Sequence, residues 1–420
     1  MKRESHSVAS GLQTFMTDAG WCWFQDPRAV IHEGTLYTGG VQGNGSGSAV
    51  VGRYDLEAGI VLGRDIVHRE FDCDDHNAPV FYVRPDGRML TVYARHHRDN
   101  RHCYRISEPG EPLVWGEERV FRHDYPGGGN VTYMNLFKLQ AEDKLYNFYR
   151  GIGWNPCYMT SCDEGETWGE PTHFIRSDFS ARPYARYASD GVDTVHVLFT
   201  DAHPRDFGNR IYYAAFRGGK YYRANGALIK DLQADGPLRP SEAERIGTTG
   251  SGEPRGDSDP ANSAWASSIV LDASGKPHVA YSLHLGPQDL RFRVAHFDGT
   301  RWQDREVAFA GRCLYPSESS YTGGITLDPV DPFRCVISTD VDPSTGETSG
   351  SRHEIYSTRI GPADDVSTLK WEPLTAGSDL RNIRPVIVND AKRRVTLWMR
   401  GRYDSFTDYE TNIVGLVEAR

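Results

Sequence analysis

Long apolar runs are missing from this chain of 420 residues: no stretch approaches eighteen consecutive apolar residues, so the sequence offers no membrane-spanning helix and implies no membrane partner. The start, Met1-Lys2-Arg3-Glu4-Ser5-His6, leads into polar sequence without an apolar signal core. As written, the chain is expected to be cytoplasmic; an exported protein whose leader has been removed is the alternative. Basic residues are in deficit, 47 Lys and Arg against 57 Asp and Glu for a net charge of -10, which argues against a nucleic-acid partner because phosphate binding needs a concentrated basic face. An acidic ligand must therefore be met by a local basic pocket. Cysteines number seven (Cys22, Cys73, Cys103, Cys157, Cys162, Cys313 and Cys335), scattered and without a Cys-x-x-Cys pair, so neither a disulfide framework nor a zinc ribbon is indicated. Methionine is scarce, at six.

Turn-forming residues are plentiful. Glycine at 43, proline at 23 and 11% aromatic residues predict many short strands joined by tight turns, an all-β chain rather than a helical bundle. A strand-turn-strand pattern recurs, with turns at Glu33-Gly34, Asp86-Gly87, Glu142-Asp143, Asp190-Gly191, Ser274-Gly275, Asp331-Pro332 and Asp390-Ala391. Each is followed by a run such as Val195-His196-Val197-Leu198-Phe199 or Val395-Thr396-Leu397-Trp398-Met399. A mean spacing of about 60 residues is the scale of propeller blades. The expectation is a single-domain, seven-bladed β-propeller over 20–420, preceded by an N-terminal extension over 1–19. The long gap between the fourth and fifth turns contains Gly247–Asp257, a polar loop rather than a linker between domains, and the stretch from about Thr248 to Trp265 is expected to shape one end of a cleft. Ser161-Cys162-Asp163-Glu164-Gly165-Glu166-Thr167-Trp168 matches the Asp-box pattern, a turn in which Ser and Asp bond the backbone and Trp packs between sheets. Asp boxes inform on fold, not on chemistry.

Four polar residues stand at strand boundaries of neighbouring repeats: His76 in Asp74-Asp75-His76-Asn77-Ala78-Pro79, His96 in Tyr93-Ala94-Arg95-His96-His97, Tyr133 in Val131-Thr132-Tyr133-Met134-Asn135, and Arg150 in Phe148-Tyr149-Arg150-Gly151. Two imidazoles, a phenol and a guanidinium suit removal of a proton from carbon beside a carboxylate. With a uronic acid linked through O4 as substrate, Arg150 would neutralise the carboxylate, since a guanidinium is permanently charged and binds it in bidentate fashion. Tyr133 would carry the C5 proton to the leaving oxygen on the same face, helped by nearby positive charge because a free phenol titrates near 10. His76, with Asp74 and Asp75 to orient it, would tune Tyr133, and Asn77 would hold a sugar hydroxyl. His96 is the least secure of the four, since His97 could face the axis instead.

Each residue also has a structural reading: an inter-blade turn for His76, a tied-down core phenol for Tyr133, a surface ion pair for Arg150. Asn135 and Arg384, at the start of the third and last units, are further candidates for substrate contact. Arg28 in Trp21-Cys22-Trp23-Phe24-Gln25-Asp26-Pro27-Arg28 could bind an anion or anchor the first blade, and His203 in Asp201-Ala202-His203-Pro204 is a weak metal candidate or a structural turn. Tyr187, Trp265 and Tyr321 are sugar platforms or blade cores.

Taken together, the segment from Gly20 to Val30, His76-Asn77, Thr132-Tyr133, Phe148-Tyr149-Arg150-Gly151, His203-Pro204 and Tyr321-Thr322-Gly323-Gly324-Ile325 resemble the BNR-repeat group that includes ulvan lyases and rhamnose-glucuronate lyases. The resemblance covers about residue 20 to the C-terminus. It implies a seven-bladed propeller that cleaves a rhamnose-(1→4)-glucuronate bond by β-elimination, with His76, His96, Tyr133 and Arg150 in the catalytic roles. It implies no cofactor for the chemistry, although some members hold a structural or near-site zinc or calcium. The expected partner is an acidic glycan, polymeric or a short oligosaccharide. A sialidase-like glycoside hydrolase and a non-catalytic glycan-binding propeller are the alternatives, the first needing three arginines on a carboxylate and a Tyr-Glu pair.

Overall fold

The computed structural model describes residues 11–124, 131–178, 182–247, 249–252, 262–350, 352–362 and 364–420. They form seven antiparallel sheets, the blades of a propeller. The innermost strands are Ala29–His32, Val80–Val83, Thr132–Leu139, Ala185–Ser189, Ser263–Leu271, Ile325–Leu327 and Arg381–Asn389, all of which contribute to the wall of one axial cavity. Each of the seven turns read from the sequence joins an innermost strand to the second strand of its blade. Those second strands are continuous apolar runs because a blade is covered on both faces: Thr194–Thr200 is buried at every position.

Seven hydrophobic clusters fill the gaps between neighbouring blades. Blades two and three, for example, enclose Leu90, Val92, Met134, Leu145 and Trp168. Trp168 arrives there through the Asp box, where Gly165 and Thr167 backbone N–H groups donate to Ser161 Oγ (2.8 Å) and Asp163 Oδ1 (2.9 Å). Gly165 adopts φ +87°, a conformation that glycine reaches at least cost.

One expectation needs correction. Within the segment read as an extension, Gln13–Met16 pairs with Asp408–Ala419 as the outer strand of blade seven, so this early strand and the last one close the ring together. The boundary at residue 20 parts that strand from its sheet, and a four-residue edge strand carries too little pattern to be recognised alone. The long fourth gap also holds Lys220–Tyr222, Leu228–Asp231 and Glu244–Ile246, which enlarge blade four to six strands. Thr248 and residues 253–261 of the cleft loop lie outside the described residues.

After the closing strand the chain crosses the axis. Trp21, Cys22 and Phe24 are fully or almost fully buried there. Trp23 packs edge-on against Trp265 (4.9 Å) and Tyr321 (5.1 Å), and Phe24 packs against Tyr133 (5.4 Å) and Tyr184 (4.8 Å). This aromatic plug divides the channel, leaving the turn face on one side and the opposite ends of the inner strands on the other.

Candidate active site

The opposite face gathers the predicted residues. His76 sits on the one-turn 3-10 helix Asp75–Asn77 that leads into blade two, and its backbone N–H is capped by Asp74 Oδ1 at 3.0 Å. The same oxygen takes His76 Nδ1 at 2.6 Å, while Asp74 Oδ2 takes His96 Nδ1 at 2.8 Å. One carboxylate therefore orients two imidazoles, which stack with centroids 4.3 Å apart. Asp75 also comes within 3.1 Å of His76 Nδ1, a contact too poorly aligned to be a hydrogen bond.

Tyr133 and Arg150 come from blade three. The pairing of Thr132–Leu139 with Lys144–Arg150 slips between Thr132 and Asn135, and at this bulge Tyr133 takes φ +62°. A bulky residue held in the left-handed region is strained and is kept there by its surroundings. Its ring lies 5.5 Å from His76 and 6.1 Å from His96. The Arg150 guanidinium lies over the rings of Tyr133 (4.7 Å), Trp154 (5.1 Å) and Tyr184 (5.5 Å) and donates to Tyr184 Oη at 3.1 Å. Its Nε and Nη2 are buried with no hydrogen-bond partner among the described residues, a vacancy suited to a carboxylate.

Electrostatics follow from this packing. Burial raises the Asp74 carboxyl, but His76 and His96 outweigh it and hold it below the usual carboxylate range. Burial disfavours charge on His76, yet Tyr133, Cys22, Asp74 and Asp75 together raise it well above an ordinary imidazole. His96, buried and beside His76, is lowered to about 4. Burial raises the Tyr133 phenol, with His76 and Arg150 pulling it back down. The resting site thus sets the Tyr133 phenol, raised by burial, beside a His76 that holds its proton readily.

All four predicted catalytic residues meet, and His96 rather than His97 faces Asp74; His97 packs on Trp154 at 4.4 Å. The four predicted substrate contacts are placed differently. Asn77 Oδ1 accepts the His96 backbone N–H at 2.6 Å and its Nδ2 donates to Asp72 O, so it holds the His96 loop rather than standing open to a sugar. Asn135 Nδ2 donates to Tyr133 O (2.7 Å) and Phe24 O (3.0 Å), tying the plug to the bulge. Arg28 bonds Cys22 O beneath the plug. Arg384 is paired with Asp75, Trp21 O and Tyr403 and is almost wholly buried. The pairs Asn135–Phe24 and Arg384–Asp75 lie far apart in sequence, so the residues around Asn135 and Arg384 gave no sign of them. Tyr184 is a site residue that the sequence reading missed; it stands immediately before Ala185–Ser189, the inner strand of blade four.

Side-chain donors for a metal gather in three groups among the described residues: Cys22, Asp75 and His76, and Asp74, His76 and His96, both at the candidate site, and His68, Cys103 and Glu118 between blades one and two. His203 belongs to none of those groups: its Nδ1 accepts the Arg205 N–H at 3.0 Å and its Nε2 is 3.9 Å from Glu318, so it packs as a neutral imidazole between Tyr184 and Trp265. An ion held by His68, Cys103 and Glu118 would fasten two blades. Trp265 and Tyr321 prove to be plug partners, Tyr321 Oη also lying 3.4 Å from His76 Nε2, whereas Tyr187 stacks on Phe148 inside the blade three to four interface.

Among solved structures, a PL25 ulvan lyase is similar with a TM-score of 0.68 at 14% identity over 97% of this chain and 95% of that one. The same type of lyase bound to -[GlcA(1-4)Rha3S]- gives 0.65 at 15% identity, over 97% and 95%. The polysaccharide lyase Uly1 gives 0.58 at 11% identity, over 99% and 94%. At such identities the likeness is one of fold. No curated protein matches the sequence. The sequence profile of the BNR repeat-containing family matches residues 31–310, two thirds of the chain, and this protein belongs to that family.

Proposed function

We propose that this protein is a polysaccharide or oligosaccharide lyase that cleaves a rhamnose-(1→4)-glucuronate bond by β-elimination. The observation that carries the reading is the buried, half-unpartnered Arg150 guanidinium stacked on Tyr133, whose neighbours are the imidazoles of His76 and His96. Arg150 binds the uronate carboxylate through Nε and Nη2 and neutralises it, which acidifies C5–H. Trp154 covers the guanidinium and must lift to admit the sugar. Tyr133, as a phenolate favoured by the charged His76 and Arg150, takes the C5 proton. The C5–H electron pair becomes the C4=C5 double bond, the C4–O4 bond breaks, and O4 leaves with a proton returned from Tyr133. His96 and Asp74 hold His76 in register. A low-dielectric pocket strengthens each of these charge interactions.

Tyr133 is surrounded by imidazoles and Arg150, not by the glutamate partner that a sialidase-like hydrolase requires, and Arg28 and Arg384 are both engaged in internal ion pairs. The test is a panel of rhamnosyl-glucuronate glycans followed by ultraviolet absorbance of the conjugated uronate. Elimination creates that chromophore and hydrolysis does not; reducing ends appearing without absorbance would overturn the proposal.

A further inference from the structure

On the turn face, beyond the plug from His76 and Tyr133, the axis opens into a chamber of about 540 Å³, within the range of small-ligand sites. Its walls are largely apolar, with Val30, Val83, Phe137, Ile269 and Val388 from five different blades. Its floor is charged. Arg28 and Arg186 both line it, with Asp26 as the carboxylate between them: Arg186 pairs closely with Asp26 Oδ2, and Arg28 Nη2 stands 3.7 Å from Asp26 Oδ1. Both arginines are more than nine-tenths buried, and the Nε of each lacks a partner among the described residues. Two guanidiniums against one carboxylate leave an excess positive charge. The chemistry of Arg28 agrees: burial, only partly offset by Asp26, lowers it to about 10, with Arg186 and Arg384 adding to the effect.

We propose that this chamber is a second binding site, separate from the lyase site, for a small monocarboxylate with an apolar body. One negative charge matches the excess that the two guanidiniums leave on the floor. Apolar walls offer nothing to the remaining charge of a phosphate dianion and favour a hydrocarbon or aromatic body.

Calorimetric titration of the whole protein with benzoate, and in parallel with its neutral relative benzyl alcohol, tests this. Benzoate is expected to bind at one site, at least about ten-fold more tightly than the alcohol, the scale of a hydrogen bond to a charged group. Val388→Trp, which fills the chamber without touching its floor, abolishes the binding, and Arg150→Ala leaves it unchanged. Should Val388→Trp fail to fold, Val83→Phe serves the same purpose from another blade. Absence of saturable binding, equal affinity for the alcohol, or binding that survives the filled chamber and disappears with Arg150→Ala overturns the proposal. Loss of glycan cleavage would bear on the lyase reading alone.

Discussion

At the scale of single residues, Tyr133, Asp74 and Arg150 separate binding from chemistry. Tyr133→Phe keeps the ring under Arg150 and removes the proton carrier, so turnover should fall by about 10²-fold or more while glycan affinity holds. Unchanged turnover would remove Tyr133 from the mechanism. Arg150→Ala should weaken binding and turnover together, because the carboxylate is held in both ground and transition states; calorimetry and initial rates read the two effects separately. Asp74 acts through the imidazoles. In Asp74→Asn one side-chain oxygen is replaced by an NH₂ that cannot accept a ring N–H, and the charge favouring protonated His76 is lost. The expected result is a lower kcat with the pH profile moved to lower pH, since His76 would titrate lower; a profile that stays in place would make Asp74 merely structural.

Among elements, the innermost strands do two jobs. They wall the channel along most of their length and bend at the site, where Tyr133 and Arg384 share positive φ values of 62° and 56° at slips in strand register. Arg384 uses its bulge to reach Asp75, the neighbour of His76, so blade seven buttresses this histidine of blade two without touching solvent. The closing strand is the second element with consequences beyond its length. Phe15 is wholly buried, with its ring 4.9 Å from that of Tyr54. Phe15→Ala should cost about 3–5 kcal/mol of stability through the cavity it leaves, read by denaturant unfolding; a loss below 1 kcal/mol would mean that the ring closes without this strand. The Asp box, by contrast, was legible in full because its hydrogen bonds lie within seven residues.

For the molecule as a whole, buried neutral histidines set the acid stability. Burial, the dominant cause for each, lowers His96, His123, His196 and His278 to about 4, and His102 and His203 well below the ordinary 6.5. Between pH 6.5 and 4 the unfolded chain takes up protons at these positions that the native protein refuses, so stability falls as pH falls through that window. His76 is raised and works in the opposite sense, its contribution being full below 6.5 and lost as pH rises through its higher folded value. Six against one makes the melting temperature drop from pH 7 to pH 5. A melting temperature that is flat or rising over that range would contradict these environments.

The order of blades, the seven turns and the identity of the four catalytic candidates were determined by the sequence by itself, because each rests on local rules: turn chemistry, apolar runs, and functional groups repeated at strand ends. Their convergence, the choice of His96 over His97, and the withdrawal of Asn77, Asn135, Arg28 and Arg384 into internal bonds were decided only by the tertiary structure. Those bonds join residues as far apart as Asp75 and Arg384, and a hydrogen bond across 309 positions leaves no periodicity in the chain that makes it. The same holds for the axial plug, whose aromatic residues look like core in sequence and acquire their role, separating the candidate site from a charged chamber, only when seven blades surround them.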